Sequence, residues 1–87
     1  MTEITIRLTS VNDVKNFVGA VTFCSCDVDI AADRYIIDAK SIMGIFSLDL
    51  SKTLVLRIHS TDENVIADLT SKIQQFIVRS PLKTLFE

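Results

Sequence analysis

Glycine and proline are scarce in this chain, with two glycines and one proline among 87 residues. That excludes collagen-like, linker-rich and low-complexity classes. With 48% hydrophobic and 23% charged residues, the composition is that of a single globular domain, large enough to bury roughly 60–65% of its unfolded surface. No run of about 18 apolar residues occurs, so no transmembrane helix or membrane insertion is expected. Met1-Thr2-Glu3-Ile4-Thr5 has neither the basic start nor the apolar run of a secretory signal, which makes the cytoplasm the expected compartment. Excess positive charge is lacking too: a net charge of -2 and a pI near 5.2 remove the general attraction to nucleic-acid backbones and anionic lipid.

Chemistry-bearing residues are equally sparse. Histidine occurs once and cysteine twice. Zinc needs four ligands at workable spacings, so Cys24 and Cys26 predict no metal site. Two residues apart, they would need a strained geometry to bridge one another, and they read as free thiols, small buried hydrophobes in a reducing compartment. There is no glycine-rich phosphate loop, no convincing pair of acid–base carboxylates and no basic strip interleaved with aromatics. The chain is therefore not expected to be an enzyme or to hold a cofactor.

What is present is regular patterning. Ile4, Ile6 and Leu8 alternate with polar neighbours and predict a first strand. Ser10 and Asp13 suit a capping box before Val11, Val14, Phe17, Val18 and Val21, whose spacing predicts a helix over 11–23. Val28 and Ile30 alternate with Asp27 and Asp29, a turn falls at Asp33-Arg34, and Tyr35-Ile36-Ile37-Asp38 is β-prone, which together make a hairpin. Ser41 can cap a short helix through Leu48, and alternation over 52–60 predicts a fourth strand. Ser60 and Glu63 suit a second capping box, followed by a stripe of Val65, Ile66, Leu69, Ile73, Phe76 and Ile77 that predicts the longest helix, ending near Arg79-Ser80 before Pro81. The order β-α-β-β-α-β-α, with amphipathic strands and helices that each need one surface to cover, predicts an α+β domain over 1–80: a four-stranded antiparallel sheet with three helices on one face. The periods leave strand order open. In the tail, 81–87, Leu82, Leu85 and Phe86 either fold back or contact another chain.

The stretch Asp38-Ala39-Lys40-Ser41-Ile42-Met43-Gly44, with Asp27-Val28-Asp29-Ile30 before it and Ser47-Leu48 and Asp62-Glu63-Asn64 after it, resembles HPr, the phosphocarrier of bacterial sugar phosphotransferase systems. The resemblance covers Asp27 to Ile77; the first third matches only as strand then helix, with a shortened loop between them. It implies an open-faced β-sandwich. It also implies a phosphoryl-accepting histidine at the start of the first helix, beside an arginine and a proline, where this chain reads Thr9-Ser10-Val11-Asn12-Asp13-Val14. Ser10 holds that degenerate active-site position, and a hydroxyl without a base gives a stable phosphoester, not a labile relay intermediate. It reads as an N-cap. His59, late in the fourth strand, reads as a sheet-surface residue, since a mid-sheet position lacks the converging N–H groups of a helix terminus.

Ser41 matches the position that a dedicated serine kinase phosphorylates in some family members. Two readings stand: a plain cap, or a cap that is also regulated. Ile42, Met43, Ile45 and Phe46 are more apolar bulk than one buried stripe accommodates, so part of this helix is expected to be exposed, and Lys40, Ile42, Met43 and Phe46 are the expected contacts for protein partners. The resemblance thus implies an interaction or regulatory domain tied to the phosphotransferase system, with a phosphocarrier using an atypical site as the alternative.

Overall fold

The computed structural model describes residues 1–78; the expected tail at 81–87 and the end of the expected 1–80 domain lie outside the described residues. Four strands form one sheet: β1 (Thr2–Ile6), β2 (Asp27–Ala32), β3 (Tyr35–Asp38) and β4 (Leu54–His59). Their spatial order is β1-β4-β2-β3, and every neighbouring pair is antiparallel. The last strand in sequence is therefore inserted between the first two. Leu54, Leu56 and Ile58 alternate inward from β4 and meet Ile6 and Ile4 on one side and Ile30 and Val28 on the other.

The helices α1 (Val11–Thr22), α2 (Ile42–Phe46) and α3 (Glu63–Lys72) cover this inner face. Helix α1 contributes buried Val14, Phe17 and Val21, and the Phe17 ring meets Phe76 edge-on with centroids 5.9 Å apart, the preferred geometry for an aromatic pair. Among the described residues no helix covers the other sheet face, which carries Glu3, Arg57, Asp29 and Asp38 in one cross-strand row. The fold is the expected α+β open-faced sandwich.

Three local expectations are corrected. The last helix stops at Lys72, shorter than α1, and the chain turns at Ile73 into a 3-10 turn, Gln74–Phe76. A straight continuation would not let the chain return to the sheet: Arg7 N–H donates to the Phe76 carbonyl at 2.8 Å and Val78 N–H to the Thr5 carbonyl at 2.9 Å, covering the outer edge of β1, a device that blunts edge-to-edge association. The cap of α3 is Asp62 rather than Ser60. The Asp62 carboxylate accepts from Asn64 N–H at 2.9 Å, while the Ser60 hydroxyl accepts from Asp62 N–H one step earlier. Helix α2 ends at Phe46 instead of Leu48, where Ser47 Oγ donates back to the Gly44 carbonyl at 2.6 Å.

Candidate functional site

The approach to α2 is built from the end of β3. Asp38 makes an Asx turn in which its carboxylate accepts from Lys40 N–H at 2.9 Å and its carbonyl from Ser41 N–H at 3.0 Å. Ser41 then leaves the strand with extended backbone, and its hydroxyl accepts from Gly44 N–H at 3.1 Å, satisfying one of the helix's orphan donors. Gly44 sits against β3. A Cβ there would stand 2.5 Å from Ile37 Cγ2, so the close approach of α2 to the sheet requires glycine.

This seating sorts the side chains of α2. Ile45 is fully buried, Ile42 is half-buried against the core, and Met43 and Phe46 face outward with 76% and 37% of their surface exposed. The expected partial exposure is thus observed, at the two residues with the most adaptable and the largest side chains. Lys40 behaves differently from its neighbours. Its ammonium turns back across the domain and donates to the carbonyls of Cys24 and Cys26 at 3.0 and 3.3 Å. Met43 and Phe46 are consequently the exposed apolar side chains of α2, and Lys40 ties α2 to the α1–β2 connection.

At the start of α1, Ser10 is exposed and caps the helix, accepting from Asp13 N–H at 3.0 Å. Asp13 folds back onto Thr9, taking its N–H at 2.9 Å and its hydroxyl at 2.8 Å. These donors from Thr9 hold the Asp13 carboxyl below the usual aspartate value. The first turn of α1 therefore already carries a carboxylate, and Arg7 donates instead to the Ser51 carbonyl at 3.2 Å.

His59 lies exposed on the open sheet face, as the alternation predicts, and is hydrogen-bonded to Asp29. The same carboxylate takes Arg57 Nε at 2.6 Å and Nη2 at 3.2 Å. Arg57 first, then His59, lower the Asp29 pKa against an opposing cost of burial. Sequence reading noticed Asp29 only as a polar position in β2; the missing signal was the β2–β4 register, which sets Asp29 opposite Arg57 and Asp27 opposite His59. Cys24 and Cys26 are half-buried rather than fully buried, with their sulfurs 3.2 Å apart. Among the described residues no three His, Cys, Asp or Glu side chains gather as a metal site, and no helix is long and apolar enough to cross a membrane.

Neither a protein-family model nor a curated protein sequence matches the chain. Among solved structures it is similar to HPr-C-His from Thermoanaerobacter tengcongensis, with 28% identity, a TM-score of 0.68, and coverage of 86% of this chain and 93% of that one. The four-stranded antiparallel sheet with its three helices is thus an HPr-like fold.

Proposed function

We propose that this chain is an HPr-like interaction module related to the phosphoenolpyruvate-dependent sugar phosphotransferase system, acting through α2 and not through phosphoryl relay on histidine. The observation that carries the reading is the contrast between two helix starts. Around Ser41 the HPr-like residues are kept, and Met43 and Phe46 stand exposed beside the capping hydroxyl. At the start of α1, where the resemblance puts a phosphate-accepting histidine, Ser10 caps the helix and the Asp13 carboxylate lies one turn on. A phosphoryl group arriving there would meet like charge where a relay needs an unoccupied positive terminus.

Regulation by phosphorylation at Ser41 fits this module. A phosphate would add nearly two negative charges to the margin of an apolar contact surface and alter which partners dock. The protein would act as a cytoplasmic binding component without catalysis of its own, and its partners would be phosphotransferase or regulatory proteins and a serine kinase.

The test is paired. The protein is incubated with phosphoenolpyruvate and the upstream phosphotransferase enzyme, and separately with ATP and a bacterial HPr serine kinase. The expected outcome is no acid-labile phosphate in the first reaction and an acid-stable phosphoserine at Ser41 in the second. Stoichiometric phosphohistidine at His59 would instead support the alternative of a phosphocarrier with an atypical site, a reading that draws on the His59–Asp29 pair.

A further inference from the structure

The connection between α1 and β2 brings Cys24 and Cys26 together with their Sγ atoms 3.2 Å apart, in a hydrogen bond between the two sulfurs. Only Ser25 separates them, and it is exposed. A disulfide requires about 2.05 Å, and 3.2 Å is already within the roughly 3–3.5 Å range of a near-attack arrangement. The two cysteines differ in their surroundings. Cys24 lines a surface cleft of about 100 Å³ beside Phe23, Ala20 and Leu69, and Cys26 does not. On the other side, the Lys40 ammonium holds both cysteine carbonyls, so the backbone that would have to adjust on bridging is tied directly to the residue preceding the Ser41 cap.

We propose that Cys24 and Cys26 are a reversible dithiol–disulfide site that exchanges with low-molecular-weight disulfides, with Cys24 as the attacking sulfur and Cys26 as the resolving one. Cys24, as thiolate, attacks one sulfur of the small disulfide. The bond between its two sulfurs breaks, one thiolate leaves, and a mixed disulfide forms on Cys24. Cys26 then loses its proton and attacks Cys24 Sγ, forming the Cys24–Cys26 bond and expelling the second small thiolate. The protein dithiol is oxidised by two electrons, the small disulfide is reduced to two thiols, and those thiols take up the two protons. Burial and the adjacent Cys24 sulfur push the Cys26 thiol up to about 11, which disfavours it as the first attacking sulfur and agrees with the opening of Cys24, not Cys26, onto the cleft. A bridge across a single intervening residue is strained, and strained disulfides are the readily reduced ones, as a switch requires. Oxidation reorients the two carbonyls and displaces Lys40, carrying the change into the Ser41 turn.

This site does not depend on reading α2 as a partner surface, and its test is separate. The fully reduced chain is titrated with glutathione disulfide, then analysed by thiol counting, intact mass and peptide mapping. The expected result is a monomer lacking two hydrogens, with Cys24 linked to Cys26 and both thiols restored by dithiothreitol. Two free thiols after treatment, a persistent glutathione adduct on the wild type, or a dimer linked between chains would overturn the proposal. In Cys26→Ser the mixed disulfide should be trapped on Cys24, and in Cys24→Ser modification should be much slower; equal rates would overturn the assigned order. For the link to α2, the amide resonances of Ser41 and Gly44 should shift on oxidation of the wild type and shift far less in Lys40→Met. Unchanged resonances at Ser41 and Gly44 would refute that link.

Discussion

Replacing Gly44 with alanine tests whether the close seating of α2 on β3 governs the site. In an isolated helix the change would stabilise by roughly 0.5–1 kcal/mol, because alanine loses less backbone freedom on folding. Here the new methyl carbon would lie 2.5 Å from Ile37 Cγ2 and 3.1 Å from Ser41 Oγ, where ordinary carbon contacts are about 3.5–4.0 Å. Relief therefore needs a shift of roughly 1 Å, which a β-branched strand residue cannot supply without leaving its rotamer, at about 0.5–1.5 kcal/mol, or a lifting of α2 that adds an overpacking cost of about 1–3 kcal/mol. Crowding of the Ser41 hydroxyl weakens the cap as well. The net expectation is destabilisation by about 1–2 kcal/mol, read as a lower urea midpoint with an unchanged slope. A double-mutant cycle supplies the control: Ile37→Ala deletes the obstructing methyl, and in that background Gly44→Ala should be neutral or stabilising, giving a coupling energy of about 1 kcal/mol or more. Strict additivity, or stabilisation by Gly44→Ala in the wild type, would refute the packing argument.

Three further outcomes follow from the same geometry. Ser41→Ala should cost about 0.5–2 kcal/mol in chemical denaturation while Ser41→Asp stays nearly neutral, since a carboxylate also accepts from the Gly44 N–H; equal losses would remove the hydroxyl from its capping role. The Asp29 carboxyl is held below its ordinary value of 3.8 by Arg57 and His59, so its contribution is fully present above that value and is lost as pH falls through the lower folded-state value. Asp29→Asn should accordingly flatten the stability–pH curve below about pH 4 and cost about 1 kcal/mol at neutral pH; an unchanged acid limb would show that the pair does not form. Asp33 carries a left-handed φ of 53° at the β2–β3 turn, where Asp33→Val should cost about 1–2 kcal/mol and Asp33→Asn much less, measured as melting temperature.

Elements whose residues answer to local periods were legible in the sequence. Ile4 and Ile6 in β1 and Leu54, Leu56 and Ile58 in β4 alternate because each strand has one covered face, and that face is the one buried. Ser10 and Ser41 were legible as caps because each is followed three residues later by the N–H it accepts. The end of α3 was not. Its apolar stripe continues through Ile73, Phe76 and Ile77, but those residues serve a return to β1, with an Ile6–Ile77 bridge and Phe76 against Phe17. A helix and a 3-10 turn can bury the same spacing over one turn, and only the partner strand decides between them.

The site divides along the same line between local and long-range causes. Exposure on α2 could be read from excess apolar bulk, because a helix of five residues against one sheet face cannot hide four large side chains. The Asp29–Arg57–His59 group could not, since it joins residues 28 and 30 positions apart and exists only once β4 has inserted beside β2. Lys40 is the most instructive residue. The resemblance groups it with Ile42, Met43 and Phe46 as a partner contact, and the structure adds that its ammonium crosses to carbonyls 14 and 16 residues upstream. A lysine in that setting does structural work on the inner side of the turn while Met43 and Phe46 occupy the outer side. Lys40 thus joins the backbone before the Ser41 cap to the carbonyls on either side of Ser25, a long-range contact that no local period in the sequence announces.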